Sequence, residues 1–134
     1  MKESDLQVQV ADYLRLRHPD VLFHSDFGSG IKLTMGQAAK QKRQNGGRRA
    51  WPDMFIAQPA QRSSEYPDAC YKFGLFIELK KEGTRLKKRN GEWASEHIAE
   101  QARILEMLEL RGYVAKFADG FDEAKRIIDE YLHG

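Results

Sequence analysis

Phe76-Ile77-Glu78-Leu79-Lys80 is the stretch on which the reading of this 134-residue chain turns. Tyr71 to Lys80 reads as the strongest strand in the sequence, with Leu75-Phe76-Ile77 at its centre. Side chains alternate along a strand at period two, so Glu78 and Lys80 share one face while Ile77 and Leu79 share the other. A core strand that sets a carboxylate and an ammonium side by side needs a reason, because burying charge is costly. The plain alternative is an ion pair at a fraying strand end.

Upstream, Pro52-Asp53 leads into a second apolar strand, Met54-Phe55-Ile56-Ala57. Asp53 stands at the start of that strand, and a hairpin pairing would bring it beside Glu78. Taken alone, Asp53 reads as a turn residue, since Pro-Asp is common punctuation. Two carboxylates converging at a sheet edge with a lysine next to them suit a divalent metal instead. Oxygen ligands at this density favour Mg²⁺ or Mn²⁺ over zinc.

Working outward, Leu6, Val10, Tyr13 and Leu14 form the apolar stripe of a helix from Ser4 to Arg17, stopped by His18-Pro19-Asp20. Val21-Leu22-Phe23-His24 reads as a short strand and Phe27-Gly28-Ser29-Gly30 as a loop. Thr34-Met35-Gly36-Gln37 fits a capping box, opening a helix to Gln44 that Asn45-Gly46-Gly47 ends. Gln58 to Ala69, polar in composition, reads as a surface loop or hairpin tip. Ser95 caps a helix to Arg111, with Gly112 just past its end. A strand over Tyr113–Phe117 and a helix carrying Phe121, Ala124, Ile127, Ile128 and Tyr131 close the chain. The order α-β-α-β-β-α-β-α predicts one α/β domain over residues 1–134, a mixed sheet of about four strands flanked by helices.

Composition bounds the function. The chain holds 22 basic and 20 acidic residues for a net charge of +2, so the placement of charge matters more than its sum. One cysteine, Cys70, excludes an internal disulfide framework and a cysteine-based zinc site, and points to a cytoplasmic protein. No apolar run approaches the ~20 residues of a membrane span, and the acidic, polar start Met1-Lys2-Glu3-Ser4-Asp5 is unlike a signal peptide. A soluble, intracellular protein is expected.

Pro52-Asp53 with Glu78-Leu79-Lys80 matches the P-D…(D/E)-x-K signature of the restriction-endonuclease-like nuclease superfamily. More narrowly, the chain resembles a VRR-NUC domain of the small, stand-alone type found in bacteriophages and bacteria. The resemblance covers nearly the whole chain. Glu3-Ser4-Asp5-Leu6-Gln7 is similar to the family's N-terminal helix motif, and Arg49-Ala50-Trp51-Pro52-Asp53 stands where the family usually has Gly-x-Pro-Asp, with Ala50 in place of the glycine. Phe76 to Lys80 is similar to its I-E-x-K strand, and Gln101, eleven residues before Gly112-Tyr113, to its late helix motif.

The resemblance implies a metal-dependent endonuclease with a restriction-endonuclease-like core. Asp53 and Glu78 would ligate Mg²⁺ or Mn²⁺, with the Leu79 carbonyl as a further ligand. Lys80 would hold the attacking water and stabilise charge on the phosphate. Glu3 corresponds to an acid near the metal site and Gln101 to a polar active-site partner. Minimal relatives act as homodimers on branched DNA, Holliday junctions included, which implies the same here, inside a bacterial host cell if the chain is phage-encoded. A sequence-specific restriction-type nuclease or an inactive DNA-binding module on the same core are the alternatives.

Two basic blocks flank the candidate ligands: Lys40, Lys42, Arg43, Arg48 and Arg49 before them, then Lys81, Arg85, Lys87, Lys88 and Arg89 after them. Charge runs are often only solvated surface, but this flanking placement favours phosphate tracking along DNA. His97 lies one helical turn before Gln101 and reads equally as a solvent-facing partner. His24 is expected to be a structural histidine. Trp51 and Trp93 fit either base stacking or burial.

Overall fold

The computed structural model describes residues 2–26, 33–48, 50–60 and 72–133. The Phe27–Gly30 loop, Arg49 and most of the Gln58–Ala69 loop, with Cys70 and Tyr71, lie outside the described residues. The expected element order holds: α1 (Glu3–Arg17), β1 (Phe23–Ser25), α2 (Met35–Gln44), β2 (Met54–Ile56), β3 (Leu75–Lys80), α3 (Glu96–Glu109), β4 (Val114–Asp119) and α4 (Gly120–His133).

The four strands form one sheet in the order β1-β2-β3-β4. β2 runs antiparallel to both β1 and β3, whereas β3 and β4 pair in parallel across the α3 crossover. Strand ends differ from the sequence reading by one or two residues, except that β3 starts at Leu75, four residues after Tyr71. Val21 and Leu22 precede β1, and Leu22 is largely exposed. β4 runs on to Asp119 because each of its six residues has a partner on β3.

β3 is the middle of the molecule, with all six residues buried. Its period-two alternation feeds two different cores. Leu75, Ile77 and Leu79 meet Leu6, Val10 and Leu14 of α1 and Ala124, Ile127 and Ile128 of α4. Phe76 points the other way, into Ile104, Leu105 and Leu108 of α3. Glu78 and Lys80 therefore belong to the α3 face, in line beyond Phe76.

Outside these cores, α1 and α4 are clasped by Asp129, whose Oδ1 accepts from Tyr13 Oη at 2.6 Å and lies 3.1 Å from His18 Nε2. Burial, with the Asp129 hydrogen bond and charge, pushes the Tyr13 phenol up to about 12. Burial works against the Asp129 charge, yet the bonds from Tyr13 and His18 hold its carboxyl below the ordinary range. At the end of α3, Gly112 adopts φ 93°, and a Cβ there would sit 2.7 Å from the Phe73 ring. Glycine is required on both counts.

α2 is built differently from the other helices. Thr34 Oγ1 accepts from the Gln37 N–H while Gln37 Oε1 accepts from the Thr34 N–H, the reciprocal capping box its sequence predicts. Gly46 and Gly47, both at positive φ, follow its last turn. None of its residues is buried, so local capping rather than core packing holds it. No helix of the described residues is long and apolar enough to cross a membrane.

Candidate active site

The pairing of Met54 with Ile77 sets Asp53 and Glu78 opposite one another at the end of the β2–β3 ladder. The Asp53 N–H donates to Glu78 Oε2 at 3.2 Å, and the Leu79 N–H donates to Asp53 Oδ2 at 2.8 Å. From α3, Gln101 Nε2 donates to Glu78 Oε1 at 2.7 Å. Lys80 Nζ lies 3.8 Å from the same oxygen. Glu78, Lys80 and Gln101 are the three buried polar or charged residues among those described, at 3%, 6% and 4% exposure. That burial rules out an ion pair at a fraying strand end.

The electrostatics follow from this geometry. Burial, then the neighbouring Asp53 charge, pushes the Glu78 carboxyl up to about 9, with Lys80 pulling the other way. Asp53 is raised as well, by burial first. The Leu79 N–H and the hydrogen bond with Glu78 oppose that rise, and the Glu3 charge adds to it. Glu3, in the first turn of α1, is thus near enough for its charge to act on Asp53. Its helix neighbour Gln7 donates to the main-chain oxygen of Asp26 and, at 3.5 Å, to that of Asp53. α1 is thereby tied to the ends of β1 and β2.

A buried and a half-buried carboxylate that repel each other in the presence of one lysine make a site that a divalent cation would satisfy. Among the described residues no group of three or more His, Cys, Asp or Glu side chains assembles for a metal. The two carboxylates suit a hard divalent cation that keeps several of its waters. Gln101 Oε1 is buried and has no hydrogen-bond partner. A metal-bound water in the site could supply one.

Asp53, Glu78 and Gln101 open onto a cleft of about 1090 Å³, roofed by α2 and the turn after it. Lys42, Arg43 and Arg48 of the first basic block line it. Lys40 is exposed on α2 but stands off the cleft wall, and Arg49 lies outside the described residues. Lys81, Arg85, Lys87, Lys88 and Arg89 are exposed on the stretch after β3 and do not line the cleft. Within that stretch Lys87 bridges to Trp93, with its ammonium 4.7 Å from the ring, and Trp93 packs against Phe117.

Trp51 has a different place. It lines the cleft, 41% exposed, with its ring in edge contact with Phe76. His97 also lines the cleft beside Gln101, whereas His24 is exposed near Asp26 and does not. Ala50 is buried against the α3 face, and every described non-glycine residue has negative φ, so the turn before Asp53 needs no glycine. Sequence reasoning missed Asp26, which lines the cleft and whose N–H donates to the Asp53 carbonyl at 2.9 Å. The β1–β2 register that brings it there joins segments about thirty residues apart and leaves no local trace.

No protein-family model matches this chain, and no curated protein matches it. Among solved structures, one described as a "VRR_NUC domain protein" superposes with a TM-score of 0.63 at 24% identity, covering 98% of this chain and 88% of that one. Over nearly its whole length, then, the chain shares the fold of a VRR_NUC domain protein, an α/β core of the restriction-endonuclease type.

Proposed function

We propose that this protein is a metal-dependent DNA endonuclease that hydrolyses phosphodiester bonds in branched DNA. The observation that carries the proposal is the convergence of Asp53 and Glu78 on the wall of a basic cleft, with the buried Lys80 ammonium 3.8 Å from Glu78 behind them. Asp53 and Glu78, with the Leu79 carbonyl, would hold Mg²⁺ or Mn²⁺, which supplies Lewis-acid polarisation of the phosphate and a hydroxide at neutral pH.

The chain's own residues do the rest. The Leu79 N–H fixes one Asp53 oxygen, and Gln101 fixes one Glu78 oxygen, so both carboxylates are oriented before any ligand arrives. Lys80, held beside Glu78, offers its ammonium to the attacking water and to the charge that grows on the phosphate. Glu3 keeps the field around Asp53 negative, which favours a cation there. Lys42, Arg43 and Arg48 hold the DNA backbone across the cleft. The second block, Lys81 to Arg89, reaches flanking phosphates from outside it.

The described residues add no separate element for reading bases, so recognition rests on DNA shape. A two-fold homodimer would give paired sites suited to a junction, acting in the cytoplasm, that of a bacterial host if the chain is phage-encoded. The test is incubation with a labelled four-way junction and a linear duplex, each with Mg²⁺, with Mn²⁺ and with chelator. Junction cleavage that needs metal supports the proposal. Cleavage of linear duplex at one fixed sequence would indicate a restriction-type enzyme instead, and binding without cleavage in either metal an inactive module.

A further inference from the structure

We infer that Trp51 is a base-stacking residue that makes the site prefer an unpaired nucleotide beside the scissile phosphate. The inference rests on the nuclease reading and adds to it a determinant of substrate structure.

Three observations converge on Trp51. It lies two residues before Asp53 and on the wall of the cleft that Asp53 and Glu78 also line. It is 41% exposed, whereas the neighbouring aromatics of that face, Phe76 and Phe55, are buried and partly buried. Its ring is nonetheless held: the Phe76 ring meets it at 5.6 Å and 76°, and Phe76 is in turn stacked on Phe55 at 4.4 Å and met by Tyr113 at 5.2 Å.

An edge contact consumes at most one face of an indole, so the other face stays free for a ligand. A base within a duplex is already stacked on both sides and has no free face to offer. An unpaired or extruded base has one, and stacking on an aromatic ring is tolerant of its identity. The basic side chains of the cleft, Lys42, Arg43 and Arg48, hold the phosphates of either form without distinguishing them. Preference for an open structure then comes from Trp51. Trp93 carries no such role, since its ring is engaged by Lys87 and Phe117 away from the cleft.

The test is binding in chelator, at one fixed salt concentration, of an unpaired oligothymidine and a blunt duplex of equal length. Trp51→Ala should weaken binding of the unpaired strand about tenfold, as expected for the loss of one base stack. Trp51→Phe should recover most of it, and duplex affinity should change less than about twofold. Unchanged binding of the unpaired strand, or an equal loss for strand and duplex, overturns the inference. If Trp51→Ala does not fold, the Trp93→Phe protein leaves Trp51 as the sole tryptophan of the two in the chain. Its emission should then be quenched by oligothymidine, and emission that does not change overturns the inference equally. Quenching without cleavage in Mg²⁺ or Mn²⁺ removes the nuclease reading but leaves the stacking role standing. Metal-dependent cleavage with no effect of Trp51→Ala does the reverse.

Discussion

Replacing Glu78 with glutamine should stabilise the fold while abolishing cleavage. Folding raises the Glu78 carboxyl from its ordinary 4.5 to about 9, so at neutral pH the native state holds a proton that the unfolded chain has released. A group raised in this way contributes fully below pH 4.5, and its contribution is lost as pH rises towards the folded value. At about 1.4 kcal/mol per pH unit the burial of Glu78 costs at most about 3 kcal/mol at pH 7. Glutamine removes that titration at almost constant volume. Its carbonyl can still accept from the Asp53 N–H, and its amide nitrogen would face Gln101, whose unpartnered Oε1 can accept after the Gln101 amide turns over. Urea unfolding in chelator should show Glu78→Gln more stable by about 1–3 kcal/mol at pH 7, the gain shrinking to nothing near pH 4.5. A variant less stable than wild type at neutral pH, or a difference that does not vary with pH, would refute the electrostatic account. Gain of stability with loss of activity is the mark of a site strained for function.

The cleft triple Lys42, Arg43 and Arg48 to glutamine should lower the slope of log affinity against log salt by about three units for duplex DNA, leaving the junction-to-linear ratio unchanged. The same change at Lys87, Lys88 and Arg89 should lower it less, and equal effects would mean that the DNA path crosses both blocks. Ca²⁺ should raise the melting temperature without supporting turnover, because its looser geometry positions water poorly; turnover in Ca²⁺ equal to that in Mg²⁺ would contradict this. Asp129→Asn should cost about 1 kcal/mol at neutral pH by weakening the clasp with Tyr13 and His18. Because the Asp129 carboxyl is held low, its contribution is present above about 3.8 and fades as pH falls further, so acid unfolding curves of variant and wild type should converge there.

Element order was legible because the signals are local. Period-two alternation around Glu78 and Lys80, the Thr34 capping box and Gly112 after α3 each act within a few residues. The Asp53–Glu78 pair was legible too, since a proline-led strand start and a charged strand end place carboxylates where pairing joins them. What sequence did not yield depends on distant contacts. Asp26 reaches the cleft only through the β1–β2 register, and the roof over it is α2, a helix with no buried residue to betray its position. Nor does composition say which basic block faces the site. The two blocks are alike in charge, but Lys87 is taken up by Trp93 while Lys42 and Arg43 ride on the roof.

The most direct test of the central claim compares wild type with Asp53→Ala and Lys80→Ala on a labelled four-way junction in Mn²⁺, at enzyme in excess. The account predicts junction cleavage by wild type and a loss of at least about a hundredfold in each variant, within the range that single groups of this kind contribute. Each variant should still bind the junction. Near-normal cleavage by both variants, or wild-type cleavage that persists in chelator, would contradict it.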